Sequence, residues 1–532
     1  MTVRHINGCA GRLALLSLAS LLLAGPSLAQ DSSPPAETPA AKEADSSGGF
    51  FGRFTGSVKD GLGGIFGGVP DKPVIAGLGS GSYTPSNEAL GDDRDVESKR
   101  VRSFGLVPAP QLQSYVDGLY QRLKEASGVQ AVPGRVYLTP SSELDASSTA
   151  DGNAFVSLGY LRALRSEDEL AALLAHELAH VLLHHHDSNI FGKLQKQLQT
   201  VFAAGSTIKN QLDQLDRAQQ TGAVKLSPSQ NKTLQRMQLG IMLTDNALHP
   251  AWNRKQETEA DRLAYDLLVK AGFAPAAMGR WLQVVADWEE LQNKKKAEVQ
   301  AEVQGSVDLL VSSGKFDQAL NKGVKNAGDV LLEQLQSRHD DALKRIDDLG
   351  AYTGKHYPSV PRVALKPAQH LNQAPHAQLL SAYDDVFKAM QLEADNQPGE
   401  ALKLLSRLTA RNSPVAQHAL PNLRHFELMR RMNKEREGLP YLSRSLEAAE
   451  PVLDAFKQMA LLNKRSGDKS AVLRTGDMAM SKFKKAPALY PELIAFYSSE
   501  GYPEQARELL NTCTLTLVEF REACSKAFQG KP

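Results

Sequence analysis

The chain has 532 residues, 61 Lys+Arg against 60 Asp+Glu, and a formal net charge of +1. That length provides for two or three domains with sizeable cores. The balanced charge removes any electrostatic case for a nucleic-acid partner, so a protein or small-molecule substrate is the default.

The first 29 residues read as a secretory signal: Arg4 and Arg12 begin it, Leu13 to Leu23 form an apolar core, and Ser27-Leu28-Ala29 is a small-x-small cleavage site. The apolar run falls short of the ~20 residues a spanning helix needs. The expected mature protein is therefore exported, with a periplasm as its compartment. Residues 30–94 read as a flexible Pro/Gly/Ser-rich linker. Within it the 50–70 stretch carries Phe50, Phe51, Phe54, Ile65 and Phe66 among glycines, a pattern that leaves room for docking in a groove or for peripheral membrane association.

Globular patterning begins near residue 95. "QLQSYVDGLYQRLKEASG" has helical spacing and a glycine C-cap. "GRVYLTP" reads as a short strand, and "NAFVSLGYL" as a second one with Ala154, Val156 and Leu158 on one face. "SEDE" is a capping box, Ser166 with Glu169, that opens the next helix. That helix, "LAALLAHELAHVLLHHH", is apolar yet places His176, Glu177 and His180 in its middle. Buried polar groups cost free energy unless something binds them. His176 and His180 stand at i and i+4, share one face, and aim two imidazoles at one point, as a tetrahedral metal requires. Glu177 cannot reach that point as a ligand, but it suits a general base acting on water. His184, His185 and His186 are read as helix C-terminal residues that favour the helix dipole.

Catalytic zinc needs a third protein ligand. "NRKQETEADRLAYDLLVKAG" reads as a helix closing at Gly272, with Glu257 and Asp261 on one face. Glu257 would be the ligand. Asp261 would accept the far N–H of a ligating histidine. Glu259 is expected to face solvent. Arg254 is a candidate oxyanion aid, and the strand residues Asn153, Ala154, Phe155 and Val156 are the candidate substrate-binding strand.

The strand "NAFVSLGYL", the helix with H-E-x-x-H and the "ETEAD" stretch, in that order, resemble the HtpX/BepA-type zinc metallopeptidase family over roughly residues 95–350. The resemblance implies one zinc per chain held by His176, His180 and Glu257, with Glu177 as general base and Asp261 behind the ligands. "SRHDDALKRIDDL" resembles the family's Ser/Thr-His-Pro-x-x-x-x-Arg-Ile stretch. In BepA-like members that histidine can approach the zinc and block it. Here His339 takes the position, and Asp340 stands where the family has proline.

Long, mostly helical insertions are expected near 187–245 and 285–335, then a linker over 351–374. From 375 to 532 the chain reads as helical hairpins broken by Gly-Asp or Gly-Tyr-Pro turns, a tetratricopeptide-like array. Cys513 and Cys524 would lie ~16 Å apart on one straight helix. A turn within "TLTLV" would bring them into disulfide reach.

The expected fold is thus α+β: a mainly helical zincin-type metallopeptidase domain with a small sheet, then an all-α array. The expected function is a periplasmic zinc endopeptidase acting on unfolded or misassembled proteins, outer-membrane proteins or their assembly machinery among them. The competing reading is a chaperone or binding scaffold for outer-membrane protein assembly, with the zinc site latched or idle.

Overall fold

The computed structural model describes residues 69–187 except 103, parts of 209–239, 252–291 and 342–530. The signal, the aromatic positions at 50–66, His339 and most of both insertions lie outside the described residues.

In chain order the first part holds α1 (Arg94–Arg100), α2 (Pro110–Ser127), β1 (Val136–Thr139), β2 (Ala146–Ser148), β3 (Ala154–Ser157), α3 (Leu158–Ala163), α4 (Glu167–Leu182), α5 (Arg254–Ala271), α6 (276–291) and α7 (Ala342–His356). The sheet order is β1-β3-β2, with β1 parallel and β2 antiparallel to β3. The loops that start β1 and β3 cross so closely that a Cβ on Gly134, at φ +88°, would strike the Gly152 carbonyl; only glycine fits.

Two expectations about this region are corrected. Leu158 does not continue the strand. Ser157 caps α3 by accepting from the Tyr160 N–H, so the alternation stops there. Residues 69–93, assigned to the linker, are packed on the domain: the Ile75 N–H donates to Asp266 at 2.9 Å and the Val74 N–H to the Tyr352 hydroxyl at 2.8 Å. The short strand β2 was not foreseen.

α4 is buried along its length and packs against α2 and α5. Its capping box is present, with Glu169 and Ser166 each bonding the other's backbone N–H. Asp168 fastens the same end, accepting from the Ala274 N–H at 2.9 Å and the Lys366 N–H at 2.6 Å. The stretch read as a linker over 351–374 is therefore tied to the start of α4, and its first residues finish α7. α5 opens with a second capping box, Asn253 with Gln256, and ends at Gly272 in the left-handed region.

The second part is all helical: α8 (His376–Ala394), α9 (Pro398–Leu408), α10 (Ala419–Arg431), α11 (Glu435–Glu447), α12 (Leu453–Arg465), α13 (Lys469–Lys482), α14 (Leu489–Ser499), α15 (Pro503–Thr516) and α16 (Arg521–Gln529). α8 packs with α9, α10 with α11, α12 with α13 and α14 with α15. Every one of these four pairs is joined by three residues whose middle member has positive φ: Asn396, Asn433, Gly467 and Gly501. In each turn the last residue's N–H bonds back to a carbonyl five residues earlier, as from Gln397 to Leu392 and from Tyr502 to Tyr497. This is the Schellman closure of a helix end. Cys513 and Cys524 are joined by a disulfide, because α15 ends at Thr516 and the chain turns back into α16.

Candidate metal centre

His176 and His180 project from α4 and Glu257 from the first turn of α5. One donor atom from each lies within 4.8 Å of the other two. The His176 and His180 Nε2 atoms are 3.1 Å apart, and they lie 3.6 and 3.9 Å from the Glu257 carboxylate. All three side chains are buried. Two imidazoles and a carboxylate in this arrangement are the donor set of a zinc site that leaves a fourth position open. Burial, with the neighbouring His176 and His185 rings, holds the His180 pKa well below its ordinary value. A neutral ring is the ligating form. Glu177, adjacent on α4, is also buried.

Each of these three side chains has support behind it. His176 Nδ1 lies 2.9 Å from Asp261 Oδ1. Arg345 of α7, buried as well, donates Nε and Nη2 to Asp261 at 2.7 and 2.6 Å, and its Nη1 is 2.7 Å from Glu257 Oε2. Burial alone would raise the Asp261 pKa; the Arg345 charge and the His176 contact outweigh it and hold it below its usual value. Trp252 stacks on the His180 ring at 4.4 Å, and Trp281 lies 4.9 Å from His176.

Several expected positions come out differently. Arg254 is exposed at the first residue of α5, and the cation set beside Glu257 is Arg345, to which the sequence assigned no role. Its signal was present, since it is the arginine of the stretch quoted around His339. Asn153–Val156 cannot accept a substrate strand, because β3 is central and paired on both sides. Glu259 is not simply solvent-facing: its carboxylate is 3.5 Å from His185 Nε2. His184 lies just past the helix end, at φ +54° and stacked on Tyr83, but His185 and His186 are buried. His186 faces the Ser148 carbonyl of β2 at 3.2 Å, and burial lowers its pKa to about 3.

An H-E-x-x-H helix completed by a glutamate from a second helix defines a class of zinc centre. Residues 110–353 match the model of Peptidase family M48, whose peptidases use zinc. The chain is 26% identical over 226 residues to the beta-barrel assembly-enhancing protease of Yersinia pestis, covering 42% of each protein. It is 22% identical over 335 residues to the protein of the same name from Escherichia coli strain K12, covering 60% of this chain and 63% of that one. The chain thus spans 42% and 63% of these two relatives' lengths.

Proposed function

We propose that this protein is a zinc-dependent endopeptidase of the bacterial periplasm that cuts unfolded or misassembled outer-membrane proteins. The observation that carries the hydrolase reading is the convergence of His176, His180 and Glu257 from two helices on one point, with Glu177 beside it. The compartment and substrate class rest on the signal-like start of the sequence and on the printed name shared by its relatives. No helix among the described residues is long and apolar enough to cross a membrane.

When bound, zinc supplies Lewis acidity toward water and the scissile carbonyl. His176, His180 and Glu257 hold it. Asp261 fixes the tautomer of His176 by accepting its Nδ1–H, and Arg345 holds Asp261 in place. Glu177 takes a proton from the attacking water and passes it to the leaving amine. Substrate lies extended along the outer side of β2, the edge strand that packs against α4. The α8–α16 array is of tetratricopeptide type: three of its four turn residues, Asn433, Gly467 and Gly501, recur at 34-residue intervals, which is that repeat's length. It recruits the client that the metal site cuts.

The test is Glu177→Gln. It keeps the shape of the side chain and all three ligands, so zinc content stays at one per chain. Cleavage of an unfolded protein such as denatured casein falls by ~100-fold or more. Undiminished cleavage by the variant would reject the mechanism.

A further inference from the structure

We propose that His185 is a positioning residue for the metal site, accepting the Nδ1–H of His180 while Glu259 holds His185 in the tautomer that can do so. This rests on His180 being a zinc ligand.

His180 presents Nε2 to His176 and Glu257, so Nε2 is its metal-facing atom. A ligating nitrogen offers its lone pair, which leaves the ring proton on Nδ1. That Nδ1 lies 2.8 Å from His185 Nδ1, with the two rings meeting edge to face at 68°. Only one proton can occupy the line between them, and zinc binding assigns it to His180. His185 Nδ1 must then be the acceptor, and its own proton must sit on Nε2. That atom faces the Glu259 carboxylate at 3.5 Å, close enough for charge to favour the proton there.

The backbone supports the same arrangement. The Gln256 side-chain amide donates to the His185 carbonyl at 3.3 Å, tying the short helical turn His185–Asp187 to the first turn of α5. Trp252 stacks on the ring face of His180. The two ligand histidines are therefore backed in different ways. His176 meets a carboxylate directly, and His180 reaches one through a second imidazole. Partners of this kind hold ligand rings in orientation, and removing one typically weakens metal binding 10- to 100-fold.

The experiment compares zinc affinity, by competition with a chelator, in the full-length protein and in His185→Leu, His185→Gln, Glu259→Leu and His180→Ala. Thermal melting of each zinc-free protein is recorded alongside. The leucine variant removes the acceptor, and its zinc affinity falls ~10- to 100-fold. The glutamine variant restores a carbonyl acceptor and recovers at least half of that loss on a logarithmic scale. Glu259→Leu, at the partly exposed end of the chain of groups, loses several-fold with unchanged melting. Wild-type affinity in His185→Leu, or equal losses in the leucine and glutamine variants, would overturn the role. If His185→Leu melts early without metal, Glu259→Leu decides alone: unchanged affinity there overturns the proposal. Zinc retained by His180→Ala would instead reject the metal site itself, a separate failure.

Discussion

Arg345 is a buried cation between two buried carboxylates, and that explains why Glu257 and Asp261 can sit so deep before any metal is considered. Removing one partner from such a set leaves an uncompensated charge, at a cost of about 3–5 kcal/mol. Arg345→Met should therefore lower the melting temperature of the zinc-free protein markedly and weaken zinc binding. An unchanged melting curve would show that the carboxylates need no cation. Residues on a regular helix were the most legible. His176 and His180 share a face because the helical period puts them there, and Glu257 and Asp261 follow by the same rule. His185 was not legible, because the helix ends at Leu182 and the left-handed His184 turns the chain before it. Past that point periodicity says nothing about direction, and a side chain read as a dipole companion lies against His180. Arg345 was missed for a related reason: its partners are separated from it by more than 80 residues.

At the level of elements, cap chemistry was readable where it is local. The Ser166–Glu169 box and the Gly272 C-cap stand where the sequence places them. Strand order was not readable, since the alternation of "NAFVSLGYL" cannot reveal that β3 is central or that Ser157 caps a helix. The array holds two buried histidines, His418 against the Tyr383 hydroxyl and His425 against Thr409. Burial lowers both pKa values to about 4. An unfolded histidine titrates near 6.5, so between these values the unfolded chain binds more protons than the folded one. Stability is fully present above pH ~6.5 and is lost as pH falls toward 4, by up to ~3 kcal/mol per histidine. Urea midpoints at pH 7 and pH 5 should differ clearly for the wild type and less for His425→Gln. Equal slopes in the two proteins would contradict this assignment.

For the whole molecule, the array is not a tethered appendage. One hydrophobic core runs from α2, α4 and α5 into α8, α9 and α10, and Arg162–Asp384 and Arg100–Glu450 join the two parts across the surface. The described residues of 209–239, which lie between α4 and α5 in sequence, dock on the array through Lys209–Asp454, Arg217–Glu500 and Arg236–Asp395. The sequence marked this segment as a polar insertion, but only the folded chain shows where its charges find partners. Arg217→Glu should loosen the segment, giving faster limited proteolysis between 187 and 251, and Glu500→Arg in the same chain should restore part of the protection. Identical digestion of the single variant and the wild type would mean that the ion pair holds nothing.

Zinc stoichiometry bears most directly on the central claim that two distant helices build a single metal centre. Metal analysis of the purified full-length protein, beside His180→Ala and Glu257→Ala, should give one zinc per chain in the wild type and little or none in either variant. A full equivalent of zinc in Glu257→Ala, with that protein folded, would contradict the account.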